Sequence, residues 1–455
     1  MASLAEPTTI DRLRAEHEGR VVGPDDQGYD DARAVFPGDI DIRPAAIVRP
    51  RDAADVARIV SLARDAGAPL AVRGGGHSLK GHGLVEDGIV VDLREMRGIE
   101  IDAEARTAWA EAGLTAGEYT NAAGEQGLAT GFGDAATVGV GGITLGGGIG
   151  FLSRLHGLTV DSLLAAEIVT ADGEIRQVDA ERDPDLFWAI RGGGGNFGVV
   201  TRFKLRLHEV PEVTGGMLML PVTADILDRF LAEAQAAPEA LTTIVNVMPA
   251  PPMPFVPEDV QGELVLMALV CHVGPAEEGE RVLAAFRALA TPIADMVGPI
   301  TYPEIYGPEP DDYHPSAVIS NVFADEIDAA RVLERLETAD APMRVAQIRV
   351  LGGAIDRVPA DETAYPHRGA PIMASVVAFY ETADEKPARQ AWVDELGAEM
   401  GRGDGSGYVN FLGDCGEDRV RAAYPGAWDR LREIKRRYDP DNLFRSNHNI
   451  PPAAA

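Results

Sequence analysis

The sequence predicts an α+β fold in two main parts, and three observations carry that reading. A strand, helix, strand pattern over residues 47–73 runs into three consecutive glycines, Gly74 to Gly76, which marks a first part with glycine-lined loops. After Val210-Pro-Glu-Val the pattern changes to long strands interspersed with helices, as expected for one large, mainly antiparallel sheet with flanking helices. The length, 455 residues, exceeds what one core organises, because single hydrophobic cores stop growing at roughly 250–300 residues. The expected division is 1–210, 211–405 and a C-terminal segment, 406–455.

In chain order, residues 1–40 are polar and acidic, with one weak helical pattern near Ile10 to Glu18, and read as a lead-in that packs on the first part. Ile47-Val-Arg-Pro reads as a strand. Asp52 to Ala66 places Val56, Ile59, Val60 and Ala63 at helical spacing behind an Asp N-cap, and Gly67 turns the chain back. The apolar run Pro69 to Val72 is then a buried strand that delivers the chain into Gly74 to Gly76, with His77 at the end of the loop. Strands follow at Gly88 to Leu93, Glu100 to Asp102 and Thr107 to Ala112, then a helix from Thr115 to Gln126 ended by Gly127. Leu164 to Thr170 and Glu174 to Val178 form a hairpin about Ala171-Asp-Gly. Pro184 to Ile190 is a short helix with Pro early and Gly just after it, feeding a strand from Val199 to Leu207.

The second part offers strands at Met217 to Leu220, Thr243 to Met248, Gly262 to Val273, Arg344 to Leu351 and Pro371 to Tyr380. Helices are expected near Asp225 to Ala236, Ala276 to Ala288, Asp328 to Thr338 and Arg389 to Met400. Two proline-rich stretches, from Pro249 to Pro254 and from Tyr306 to Tyr313, read as surface loops or lids. Ala427 to Tyr438 carries Trp428, Leu431, Ile434 and Tyr438 on one stripe, which reads as a packing helix that Pro440 stops.

Composition excludes several classes of function. Against 41 basic residues stand 72 acidic ones, and the net charge of −31 repels phosphate backbones and anionic lipid surfaces, so neither a nucleic acid nor a membrane is expected as partner. No run of about 20 apolar residues occurs. The two cysteines, Cys271 and Cys415, make no disulfide framework, and the first residues lack a basic and an apolar leader region, so a cytoplasmic enzyme is the expectation.

Chemistry is suggested by the glycines. Gly74 to Gly76 let backbone amides approach a ligand closely; as a turn alone they would carry no function. His77 and His82 lack the further Cys, His or carboxylate ligands that a metal site needs, so no metal is expected. A second run holds seven glycines from Gly139 to Gly150, too many for a packed strand and unlike the dinucleotide fingerprint that opens a helix in a βαβ unit. A loop wrapping a flat, phosphorylated ligand is the expected form.

These motifs resemble those of the berberine-bridge-like branch of the vanillyl-alcohol oxidase and p-cresol methylhydroxylase (PCMH) superfamily of flavin enzymes, over nearly the whole chain. The resemblance rests on Arg73-Gly-Gly-Gly-His-Ser, Thr137-Val-Gly-Val-Gly-Gly with Leu145-Gly-Gly-Gly, Leu186-Phe-Trp-Ala-Ile-Arg-Gly-Gly-Gly-Gly-Asn-Phe-Gly-Val-Val-Thr, Tyr438-Asp-Pro-Asp-Asn-Leu-Phe and Asn449-Ile-Pro-Pro. It implies a PCMH-type two-part FAD-binding domain, a substrate domain laid over the flavin, and a C-terminal segment that returns to the first domain. It further implies FAD bound covalently through His77, with Arg73, Gly74, Gly75, Gly76, Ser78, Thr137, Val138, Gly139, Gly142, Gly146, Gly147, Val199 and Asn449 as cofactor contacts. A second covalent link, made in many relatives by a Cys, is not expected, because Ala135 holds that position. The Tyr found in the Gly-rich run of sugar-oxidising relatives is Ile149 here, which argues against a sugar.

Tyr408-Val-Asn-Phe matches the family segment beside the flavin, so Tyr408 is the implied base, or else a residue that closes the pocket, and Asn410 a substrate contact. His367 is expected to orient substrate or accept a proton, or equally to be a hydrogen-bonded loop residue. Val138 occupies the position where small branched residues accompany oxidase activity. The implied function is an FAD-dependent oxidase that takes a hydride from a C–H beside an alcohol or amine of a small or medium hydrophobic substrate and passes the electrons to dioxygen. A dehydrogenase with another acceptor and a catalytically silent flavin-binding protein are the alternatives, and the chain is expected to be a monomer or a homodimer.

Overall fold

The structure, a computed structural model, describes residues 12–15, 20–307, 313–413 and 416–454. Of the weak helical pattern near Ile10 to Glu18, residues 12–15 are helical and the rest lies outside the described residues, as do Cys415 and most of the Tyr306 to Tyr313 loop.

Two sheets build the N-terminal half. Strands β1 (Arg20–Val22), β2 (Ala46–Arg49), β3 (Leu70–Arg73) and β4 (Ile89–Asp92) lie in the order β1-β2-β4-β3, with β4 inserted parallel between β2 and β3. The helix Ala53–Ala66 makes the crossover from β2 to β3; Asp52 caps it, Gly67 ends it at φ 61°, and Val56, Ile59, Val60 and Ala63 are buried. The second sheet has the order β5-β6-β10-β8-β9, from β5 (Ile99–Asp102), β6 (Thr107–Glu111), β8 (Leu163–Val169), β9 (Ile175–Asp179) and β10 (Val199–Arg206). A small pair, β7 (Leu128–Ala129) with β11 (His208–Glu209), closes its end. The same helix fills the space between the two sheets, so both share one core.

The remaining strands form an eight-stranded antiparallel sheet, β15-β12-β14-β13-β18-β19-β17, with β16 paired to β12. Its members are β12 (Val213–Pro221), β13 (Leu241–Pro249), β14 (Leu264–Val273), β15 (Ala294–Asp295), β16 (Gly298–Ile300), β17 (Ala317–Ala324), β18 (Arg344–Val350) and β19 (Ile372–Phe379). Side chains alternate across a strand, and the two faces differ. On one face Leu218, Val245, Ile348 and Val376 pack under the helices Ala224–Ala236, Ala276–Arg287, Ala329–Glu337 and Lys386–Met400. On the other, Phe323 and Met373 pack with Ile149, Tyr365 and Tyr408, and Ile244 packs with Phe151 and Leu152. The sheet therefore lays its uncovered face against the glycine-rich half.

Several short elements have no counterpart in the expectation, and three departures bear on the site and the sheet. The run from Gly139 to Gly150, expected as a loop, begins with a helix, Val140–Gly146, in which Gly141 and Gly146 answer close contacts, and the chain turns only at Gly147 and Gly148. β17 was not expected, since Ser320 and Asn321 interrupt its apolar pattern, yet Asn321 is bonded inside the sheet to Ser375. β12 begins at Val213, with Gly215-Gly216 hiding its first half. At the C-terminus Tyr424, Trp428, Leu431, Ile434, Phe444 and Ile450 all join the core of the first half.

Candidate active site

The glycine runs meet because their backbones touch. A Cβ added at Gly75 would lie 2.3 Å from the Gly139 nitrogen, and one added at Gly139 would lie 2.2 Å from the Gly75 nitrogen. No side chain fits at either position, so the loop after β3 and the start of the Val140–Gly146 helix form one continuous backbone surface. Gly142 faces open space with nothing near its missing Cβ, whereas Gly146 lies against the Asn410 amide. Gly147 (φ 133°) turns the chain where the Tyr365 and Tyr408 rings close in. The third run, Gly192 to Gly195, is tied to the second by Gly192 N donating to Leu145 O at 3.0 Å.

The C-terminal segment forms a further wall. Asn196 donates to Gly193 O (2.9 Å) and His448 O (3.2 Å) and accepts from Ile450 N (2.9 Å), while Asn447 donates to Gly195 O at 3.2 Å. Lys435, wholly buried, donates to Asn196 O, Phe444 O and Asp439 Oδ2 at 2.6–2.8 Å.

This surface fits FAD. It offers half-buried backbone at Gly74 to Ser78, an exposed Thr137, a half-buried Val138 and the open face of Gly142. The Oδ1 atoms of Asn447 and Asn449 and the Thr144 hydroxyl are buried with no hydrogen-bond partner among the described residues, the pattern left by polar atoms whose partner is a ligand. Amides in place of lysines suit a phosphate-bearing group in so acidic a chain. His77 stands at the rim, its ring stacked on Phe36 with centroids 4.3 Å apart and planes 15° from parallel. His82 makes an edge contact with His448, whose pKa burial pulls down to about 4.

Tyr408 is buried, and its hydroxyl oxygen accepts from Gly148 N at 2.8 Å and from Asn410 Nδ2 at 2.9 Å. Asn410 also donates to Ile143 O at 3.3 Å, and Tyr408 N donates to Asn321 Oδ1 at 2.7 Å. Burial raises the Tyr408 pKa, while these donors and the nearby Arg349 oppose the rise; the net direction is up. Arg349 donates to Asp134 at 2.6 Å and to Gln347, and its guanidinium lies over the Phe411 ring. The carboxylate and the guanidinium neutralise each other, so this wall carries no net charge. Among the described residues no group of three or more His, Cys, Asp or Glu is placed to hold a metal.

Some expected site residues lie elsewhere. The Arg73 guanidinium is buried against Asp92 (2.7 Å) and also bonds Ala34 O, so it clamps the strand ends instead of lining the cradle. Each of these two buried charges needs the other, and Arg73 holds the Asp92 carboxyl well below its ordinary range. His367 gives Nε2 to Ala423 O at 2.9 Å and stacks on Phe323; burial lowers its pKa to about 4, so it serves as a packed structural residue behind Tyr365, not as a proton acceptor. Val199 opens β10 with its side chain in the core, so it offers a ligand backbone alone. The Ser78 hydroxyl accepts from His82 N, holding the loop. The sequence reading gave no role to Phe36, Asp134, Gln347, Arg349 and Tyr365, although Asp134 opens the second glycine run.

Comparison with known proteins agrees with this geometry. Residues 44–179 match the family model described as FAD binding domain, and residues 407–451 the model described as berberine and berberine like. The chain is 31% identical to (R)-6-hydroxynicotine oxidase of Paenarthrobacter nicotinovorans, over 99% of both chains. It is 30% identical to YgaK of Bacillus subtilis, an uncharacterized FAD-linked oxidoreductase, over 95% of this chain and 97% of that one. Among solved structures, 6-hydroxy-D-nicotine oxidase from Arthrobacter nicotinovorans superposes with a TM-score of 0.84 at 30% identity, covering 96% of this chain and 98% of that one. Wild-type BBE-like 1 of Physcomitrella patens shares the fold, with a TM-score of 0.84 at 24% identity over 98% of this chain and all of that one. A two-part glycine-lined cradle closed by a broad antiparallel sheet is the architecture of the PCMH-type FAD oxidoreductases. Within them, this chain belongs to the berberine-bridge-like family and is an FAD-linked oxidoreductase.

Proposed function

We propose that the protein is an oxidase that takes a hydride from a carbon bearing a hydroxyl, or a neutral amine, of a small or medium hydrophobic substrate and returns the electrons to dioxygen. The observation that carries this reading is the Tyr408 hydroxyl, held by two N–H donors at the Gly146 to Gly148 turn. When bound, FAD supplies the hydride acceptor. An oxygen that accepts two N–H bonds has both donors ready to stabilise its negative charge, so Tyr408, once it has given up its own proton, can take one from a substrate hydroxyl. Asn410, through Ile143 O, fixes one of those donors. The closed Arg349–Asp134 pair spends the Asp134 carboxylate on Arg349 and not on an ammonium, which favours a substrate uncharged at its reacting end.

A covalent bond between His77 and FAD belongs to the same reading, supported by the place of His77 at the cradle rim and by the motif Arg73-Gly-Gly-Gly-His. Use of dioxygen is supported by Val138, a small branched residue, half-buried next to Gly139. The test is anaerobic reduction of the bound flavin by an alcohol substrate. Tyr408→Phe is expected to slow it by about 10²–10⁴-fold, the range of a positioned general base, while leaving the flavin spectrum intact. Unchanged reduction by an alcohol would remove Tyr408 from the mechanism.

A further inference from the structure

We infer that Phe36 is a positioning residue for attachment of the flavin at His77; the inference rests on the covalent reading above. The lead-in between residues 34 and 40 crosses from the first half to the sheet domain as a strap over the loop that carries His77. Phe36 N donates to Gly76 O at 3.1 Å, and Gly76 (φ 76°) has Val35 directly beside it, so the strap is bonded to the residue before His77. The Phe36 ring lies flat on the imidazole, centroids 4.3 Å apart. Tyr313 of the sheet domain meets the Phe36 ring edge-on at 6.1 Å, and His314 Nδ1 donates to Phe36 O at 3.2 Å. Further along, Gly38 N donates to Pro315 O at 3.1 Å; a side chain there would strike His314 O, so Gly38 alone permits this crossing. Asp39 is held by Lys386 at 2.7 Å and by the Tyr380 hydroxyl.

The strap is thus fixed at both ends, and its one aromatic ring lies along the plane of His77. That plane matters for attachment. The bond forms between an imidazole nitrogen and the flavin 8α carbon, while one C–H of that methyl group and the imidazole N–H each release a proton. Two electrons stay on the flavin ring, and dioxygen removes them, leaving hydrogen peroxide. The attacking lone pair lies in the imidazole plane, so a ring tilted away from the plane that Phe36 supports is misaligned for the attack.

The test uses full-length apoprotein mixed with FAD in aerated buffer. Flavin that stays with the polypeptide after acid precipitation is followed over time, beside the Kd for FAD before attachment and the melting temperature. Phe36→Ala and Phe36→Leu are expected to attach flavin about tenfold more slowly or worse, with Kd near wild type, and Phe36→Tyr to restore the wild-type rate. Phe36→Leu keeps the apolar bulk of the strap and carries the test if the alanine variant does not fold. Attachment at the wild-type rate in the leucine variant, or slowing fully explained by a weaker Kd, overturns the role of Phe36 and leaves the linkage standing. Wild-type flavin found wholly in the supernatant overturns the linkage itself, and this inference with it.

Discussion

At the scale of the residue, Tyr408 shows how two opposed effects divide the work of one group. Burial removes water from the phenol and raises its pKa, and the donors from Gly148 and Asn410 pull the other way without cancelling the rise. The hydroxyl is therefore protonated at neutral pH in the resting site, and the deprotonated fraction grows as pH climbs toward the raised value. Reduction of the flavin by an alcohol is expected to quicken with pH through the alkaline range, and Tyr408→Phe to flatten that profile; a wild-type profile flat to the alkaline limit of stability would contradict it. The places of His77 at the cradle rim and of Tyr408 and Asn410 at the Gly146 to Gly148 turn were legible in the sequence because each sits in a short motif. Asp134 and Arg349 were not, since 215 positions separate them and only the docking of sheet on cradle brings them together. The clamp made by Arg73, and which of the two expected places His367 takes, were hidden for a related reason. A motif gives a residue's place in the chain, but only the packed structure reveals that Asp92 and the Ala423 carbonyl have already taken their polar atoms.

At the scale of the element, hydrophobic periodicity located most helices and the longer strands, because both depend on spacing within one segment. What it could not locate were elements fixed by distant partners. Asn321 reads as a strand breaker, yet its amide bonds Ser375 and its Oδ1 accepts from Tyr408 N, so a polar edge strand also positions the active-site segment. The helix Trp428–Tyr438 was legible as a packing helix from its apolar stripe; its Lys435 was not legible as a clamp. That ammonium ties the helix to Asn196, Asp439 and Phe444, and so joins the third glycine run to the wall containing Asn447 and Asn449. Lys435→Met leaves Asp439 buried without its cation, a change that costs about 3–5 kcal/mol when one member of a buried pair is removed. The expected outcome is a lower denaturation midpoint together with weaker FAD binding. Loss of stability with FAD affinity unchanged would mean that the clamp does not reach the cofactor wall.

At the scale of the whole molecule, the division of labour follows from the two faces of the large sheet. Helices bury one face in the domain's own core, and the other meets Ile149, Tyr365 and Tyr408, so the residues proposed to react lie where the two layers close on each other. The strap through Phe36 and Asp39 and the Asp134–Arg349 pair cross the same seam. Such an enclosure lets the chain control what reaches the flavin, and control of oxygen access is what separates an oxidase from a dehydrogenase. The most direct measurement is therefore a double-mixing experiment in which substrate first reduces the enzyme-bound flavin without oxygen and aerated buffer is then added. The account predicts reoxidation within seconds, with one hydrogen peroxide formed per flavin. Reduced flavin that persists for minutes in aerated buffer, and is discharged only by another acceptor, would contradict it.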